Sequence, residues 1–204
     1  MPLLGFGTWK LKDGQEVKDA VATALKVGYR HIDTAAIYDN ERGVGEAIRD
    51  SGLPRNQVFV TTKIWNDDIR QGRNAIIEAC DHCLERLGLS HVDLLLLHWP
   101  IVGKDREAWK AMEYLYHQGK ARSIGVSNYL PHHLDELLQP GVTVIPMVNQ
   151  IEFHPFLLQP SLTSICRKNG IVRVAWSPLM QGNVNAVPAI VEIAKQHHKT
   201  PSQI

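Results

Sequence analysis

The chain has 204 residues, with 22 Lys plus Arg against 21 Asp plus Glu, a formal net charge of +1 and 44% hydrophobic residues. That balance argues against nucleic-acid or anionic-membrane binding, and the apolar fraction suits one large core. No apolar run approaches the roughly 20 residues of a membrane span. The N-terminal MPLLGFGTWKL lacks a signal-peptide pattern, and three cysteines without any Asn-x-Ser/Thr acceptor point to a reducing, cytoplasmic setting.

Strand-like and helix-like segments then alternate along the chain, which predicts βα units around a parallel sheet. LLGFGTW reads as the first strand. GQEVKDAVATALKVG reads as an amphipathic helix, with Val17, Val21, Ala24 and Leu25 on one face and a stop at Gly28. YRHIDTA, VFVTTKIW, HVDLLLLHWP, ARSIGVSN, VIPMVNQIEF and VRVAWSPL supply six further strands, with the helices NERGVGEAIRDSG, GRNAIIEACDHCLERLG, DREAWKAMEYLYHQG, PHHLDELLQ, LQPSLTSICRKNG and VPAIVEIAKQHH following them in turn. The unbroken leucines of the fourth strand suit burial on both faces.

Seven such units fall one short of an eight-stranded α/β barrel, which typically has about 250 residues. Thr200 and Pro201 look like the cap and first residue of a further helix. The expectation is a single domain over residues 1–204, an α/β TIM barrel lacking its last strand–helix unit and C-terminal loop. Gly43-Val44-Gly45 lacks a preceding strand and a third glycine, so it is no nucleotide-binding turn. Cys80 and Cys83 fall inside a helix without a second ligand pair and read as core. No metal site is expected.

Four chemically unlike residues follow separate apolar runs: Asp33 and Tyr38 after YRHID, Lys63 after VFVTT and His98 after VDLLLL. The strand ends of a parallel barrel converge on one mouth, so these four become neighbours there. A phenol is a poor acid near neutrality, with a usual pKa of about 10. A nearby ammonium favours its ionised form, a carboxylate keeps that ammonium charged and aimed, and an imidazole can orient a carbonyl oxygen. Together they form a proton donor above a carbonyl group, the polar half of an aldehyde or ketone reduction. The set supplies no hydride, so it calls for a nicotinamide cofactor.

The segments GFGTW, HIDTAAIYDNE, TTKIW, LLHWP, GKARSIGVSN, NQIEFHP and AWSPL resemble, in order, the signatures of the aldo-keto reductase family, with the compact loop after the fourth strand closer to its bacterial and protist members. That resemblance implies NADPH, or less often NADH, and the tetrad Asp33, Tyr38, Lys63 and His98. Within it Tyr38 is the general acid, Lys63 tunes its pKa, Asp33 pairs with Lys63 and His98 orients the carbonyl. It further implies cofactor contacts from Thr8, Trp9, Lys10 and Asp33, from Ser127, Asn128 and Gln150 at the carboxamide, from Trp176 stacked on the ring, and from Ser177, Pro178, Leu179 and Gln181 over the pyrophosphate. Trp9, Trp65 and Trp99, with Tyr38 and His98, line the implied substrate pocket, which favours flat or apolar small carbonyl compounds. The family's segment for the adenosine 2′-phosphate lies in an eighth unit. A monomer is expected. A catalytically silent, cofactor-holding regulatory protein and a metal-dependent barrel hydrolase or isomerase are the competing readings. The complete tetrad argues against the first, and the lack of a His-x-His or carboxylate-rich set at the strand exits argues against the second.

Overall fold

Alternation along each strand decides what this molecule buries on each face. In the computed structural model, which describes residues 1–204, seven strands pair in parallel and in chain order: β1 (Phe6–Gly7), β2 (His31–Asp33), β3 (Phe59–Ile64), β4 (Leu94–Leu97), β5 (Ile124–Ser127), β6 (Val148–Glu152) and β7 (Val172–Trp176). The sheet curls, and helices pack on its outer face as α1 (Gln15–Lys26), α2 (Glu41–Asp50), α3 (Asn66–Gln71), α4 (Arg73–Leu87), α5 (Asp105–His117), α6 (Pro131–Leu137), α7 (Pro160–Lys168) and α8 (Pro188–Gln196). β1 and β7 are the two edges and do not pair with each other.

Side chains of one parity meet the helices: Ile32, Val60, Ile64, Leu95, Leu97, Ile124, Val126 and Ile151 belong to the large core shared with Val17, Val21, Leu25, Ile76, Leu84 and Trp109. Each such burial contributes roughly 1.5–3 kcal/mol. The other parity faces inward, where Leu94, Leu96 and Val148 form a small separate cluster. The leucine run of β4 therefore serves both faces in turn, as its composition predicts, and all four residues are fully buried. At the inner face Gly125 is required for space, because a Cβ there would lie 2.5 Å from Val148 O and 2.8 Å from Leu96 Cδ2.

The helix glycines have packing roles. A Cβ on Gly45 would lie 2.1 Å from Leu87 O, so α2 can approach α4 only with glycine at this position. Both glycines of this Gly-x-Gly lie inside α2. Cys80, Cys83 and Cys166 are free and buried, and burial pushes the first of these thiols up to about 12. Three expectations needed adjustment. β1 is only two residues long, because the chain leaves the sheet at Thr8. A short helix, α3, precedes α4, and no apolar period announces its six residues. The segment from Thr200 forms a single 3-10 turn, Pro201–Gln203, with the capping box its sequence suggests.

At the N-terminal end of the sheet, Asp93 pins three strands. Its carboxylate accepts hydrogen bonds from Arg55 Nη2 at 2.7 Å and from the Val60 N–H at 2.9 Å, and Arg122 Nη1 lies 3.5 Å away. That cluster is structural and sits at the opposite end from the residues considered next.

Candidate active site

Inward parity places inner side chains near the strand ends at the C-terminal mouth. These side chains are Asp33 on β2, Lys63 on β3, His98 one step past β4, Ser127 on β5, Gln150 on β6 and Trp176 on β7. The register carries Lys63 opposite Leu96 of β4 and two residues beyond Thr61, the partner of Asp33. Tyr38 arrives differently, on a 3-10 turn, Ala36–Tyr38, that ends with Asp39 in the left-handed region at φ 52 before α2 begins.

The structure brings the four predicted residues together. Lys63, 1% exposed, donates from Nζ to Asp33 Oδ1 at 2.5 Å and to Thr34 O at 2.8 Å. Its ammonium lies 5.1 Å from the Tyr38 ring centre. The Tyr38 ring meets the His98 ring edge-on at 5.7 Å, and Trp65 packs on the other side of His98 at 5.1 Å. Asp33 is fixed at both oxygens, because Gln150 Nε2 donates to Oδ2 at 2.7 Å. This bond from β6 to β2 gives Gln150 a structural partner besides the cofactor role its position suggests.

Burial sets the protonation of the two rings at the mouth. Burial drives the His98 imidazole down to about 3, helped by the charge of Lys63 and opposed by Asp33. His98 is therefore neutral at ordinary pH and can donate only a hydrogen bond, with its Nδ1 buried and unpartnered. Burial raises the Tyr38 phenol above its usual range, against the charge and hydrogen bonding of Lys63, with Asp33 adding to the rise. The expectation that Lys63 lowers this phenol holds as one contribution, but desolvation outweighs it. The net result is an acid that stays protonated over a wide pH range and is kept from rising further by the ammonium beside it.

The imidazole also makes a pH-dependent contribution to stability. Its folded pKa lies below the unfolded value of about 6.5, so folding is favoured above that value and weakened as pH falls through the window toward 3. His31 is lowered by burial in the same direction. We expect His98 alone to remove about 2 kcal/mol of unfolding free energy between neutral pH and about pH 5. Urea unfolding of the wild type and of His98→Asn at both pH values measures this; equal pH dependence in the two chains would contradict it.

Along the next strands the polar groups form a row. Ser127 Oγ donates to Gln150 O at 2.9 Å, and Asn128, left-handed at φ 65, donates from Nδ2 to His98 O at 3.0 Å. Its Oδ1 accepts the Trp176 indole N–H at 2.9 Å, so the indole on β7 orients the amide after β5. Hydroxyl and amide groups on adjacent strand exits, beside a partly buried aromatic face, fit the needs of a planar ring that bears a carboxamide. The segment after β7 is held in unusual backbone, with Ser177, Met180 and Gln181 all at positive φ. Lys10 Nζ reaches Gln181 Oε1 at 3.4 Å, joining the exits of the two edge strands. Leu179 is exposed beside Pro178.

Thr8, expected near a cofactor, is fully buried, and its hydroxyl bonds within the protein to Asp33 O at 3.2 Å. Of the three predicted pocket tryptophans, Trp65 packs against His98, while Trp9 and Trp99 are 53% and 43% exposed at the rim. Ile37 adds an exposed apolar side chain on the turn that carries Tyr38.

Comparison with known proteins settles the family. The model described as "Aldo/keto reductase family" matches residues 3–204. The chain belongs to the aldo/keto reductase family. This aldo/keto reductase is 49% identical over 207 residues to the 9,11-endoperoxide prostaglandin H2 reductase of Trypanosoma cruzi, covering 100% of the chain and 72% of that protein. It is 48% identical over 204 residues to the glyoxal reductase of Bacillus subtilis, covering 73% of it. The crystal structure of an aldo/keto reductase from Brucella melitensis superposes with a TM-score of 0.92 at 44% identity, over 100% of this chain and 77% of that one. The fold is thus an eight-unit α/β barrel represented here by seven units. Family membership makes the protein an oxidoreductase and implies a nicotinamide cofactor.

Proposed function

We propose that this aldo/keto reductase converts small aldehydes and ketones to alcohols with NADPH, and that Tyr38 supplies the proton. The observation that carries the reading is the convergence of Tyr38, Lys63, Asp33 and His98 at one strand-exit mouth, with only Tyr38 free to act as an acid. Lys63 is committed to Asp33 and to Thr34 O, and His98 is neutral. His98 offers a hydrogen bond that orients the carbonyl, and Tyr38 protonates its oxygen as the bond is reduced. Lys63 stabilises the phenolate left behind, and Asp33, held by Gln150, keeps Lys63 in place.

Ser127, Asn128, Gln150 and Trp176 would hold the nicotinamide end of the cofactor, with the segment Ser177, Pro178, Leu179 and Gln181 and the loop Thr8–Lys10 beside its phosphates. When bound, the nicotinamide supplies the hydride delivered to the carbonyl carbon. Trp9, Trp65, Trp99 and Ile37 give the mouth aromatic and apolar surface suited to apolar or small carbonyl compounds. Relatives named glyoxal reductase and, in Escherichia coli, methylglyoxal reductase support 2-oxoaldehydes as a substrate class. Preference for NADPH over NADH follows the family habit. Three buried free cysteines support a reducing, cytoplasmic setting, and we propose a monomer.

The test is the loss of NADPH absorbance on adding methylglyoxal or phenylglyoxal, with NADH in parallel. Turnover with NADPH, undiminished by EDTA, is expected. Tight NADPH binding without turnover across a broad carbonyl panel would overturn the reading in favour of a cofactor-holding regulatory protein.

A further inference from the structure

Asn40 stands where a helix cap belongs, directly before α2, yet its side chain makes no bond to that helix. The N–H it would ordinarily take, on Gly43, is instead bound by Asp13 Oδ1 from the loop after β1, at 2.9 Å. The amide so released is fully buried. Its Nδ2 donates to Thr8 O and to Leu11 O, each at 2.9 Å. Its Oδ1 accepts the Thr34 hydroxyl at 2.8 Å, and the Thr8 hydroxyl, whose single proton is given to Asp33 O at 3.2 Å, lies 3.4 Å away. A primary amide has two N–H donors and two acceptor sites; both donors and one acceptor site are used here.

The partners give this arrangement its significance. Thr8 and Leu11 bracket Trp9 and Lys10, while Thr34 and Asn40 bracket the turn that carries Tyr38. Thr34 also uses its carbonyl to receive the Lys63 ammonium. Asp13 thus fastens the β1 exit loop to the first turn of α2, and Asn40 fastens it to the β2 exit loop, where Thr34 leads on to Lys63. Nothing about Asn40 touches the reacting atoms.

We propose that Asn40 is a positioning residue: one buried amide that locks the loop of Trp9 to the turn of Tyr38 and holds Thr34 where its carbonyl anchors Lys63. The inference rests on the reading of Tyr38 as proton donor. An amide held through both N–H groups and its oxygen resists rotation, so its loss frees both loops together. Displacements on the scale of an ångström at reacting groups can cost about 100-fold in rate.

The experiment compares Asn40→Ala and Thr34→Val with Asp93→Asn, a stability control at the opposite end of the sheet. Asn40→Ala is expected to lower kcat by about 10- to 100-fold and to move the alkaline limb of its pH profile upward, because the ammonium no longer sits firmly against the phenol. Thr34→Val keeps the shape of a buried side chain and removes only the hydroxyl link, so it should show the same shift to a smaller degree. It serves as the deciding variant if Asn40→Ala does not fold. Asp93→Asn should lower the melting temperature while keeping wild-type kcat and limb. Titration of tyrosinate absorbance, taken as the difference from Tyr38→Phe, should show the Tyr38 phenol moving upward in both loop variants. That readout needs no turnover, so it judges Asn40 even if the wild type fails to reduce any carbonyl compound, which would sink the proposed function instead. An unmoved phenol and limb, or an equal rate loss in Asp93→Asn, overturns the proposal.

Discussion

Tyr38→Phe is expected to lower kcat for aldehyde reduction by about 10²- to 10⁴-fold while leaving NADPH binding intact. The size follows from the lack of any substitute acid. Burial lowers the His98 imidazolium to about 3, so at ordinary pH the ring offers an N–H hydrogen bond but no acidic proton. Lys63 directs its N–H bonds to Asp33 and to Thr34 O, and releasing a proton would leave the Asp33 carboxylate without its charge partner. The phenylalanine ring keeps the edge-on packing against His98, so fold and cofactor contacts survive. Single-turnover rates and quenching of tryptophan fluorescence by NADPH, measured on the same preparation, separate chemistry from binding. A variant with wild-type kcat would remove Tyr38 from the mechanism.

Lys63→Met has the next largest expected effect, because it acts on rate and stability at once. The methionine fills the space but leaves Asp33 with only Gln150 as a side-chain partner. Breaking a buried ion pair by removing one member costs about 3–5 kcal/mol, and the lower end applies here because Asp33 keeps 16% side-chain exposure. The phenol loses the charge that restrains its pKa, so kcat should fall by about 10²-fold or more. Adding Asp33→Asn to Lys63→Met removes the stranded carboxylate. The double variant should therefore recover stability, measured by urea unfolding, but not rate. Recovery of both would mean that Lys63 matters only to the fold.

Residue types and their spacing carried most of this site in the sequence. A lysine after VFVTT and a histidine after VDLLLL are legible because strand alternation is strict, and the inner parity that ends in Leu94 and Leu96 must next reach His98. Trp176 and Gln150 follow the same rule on their own strands. What stayed hidden depends on partners distant in the chain. Asn40 opens the NERGVGEAIRDSG helix, and nothing local reveals that Asp13 takes the capping task at Gly43. Likewise Gln150 contacts Asp33 across 117 residues, a pairing that curvature of the sheet creates and no motif announces. The upward net shift of the Tyr38 phenol was invisible too, because the sequence names the ammonium neighbour but not the depth of burial. The packing of Gly45 against Leu87 O belongs with these, since a glycine in a helix signals space without saying whose.

The central claim is that an ammonium from one strand restrains a phenol delivered by another. It is tested most directly by ultraviolet titration of the Tyr38 phenol, isolated by subtracting the Tyr38→Phe spectrum, in the wild type and in Lys63→Met. The phenol is expected to ionise above its ordinary pKa of about 10 in the wild type and higher still once the ammonium is gone. A phenol with the same pKa in both chains would contradict the claim.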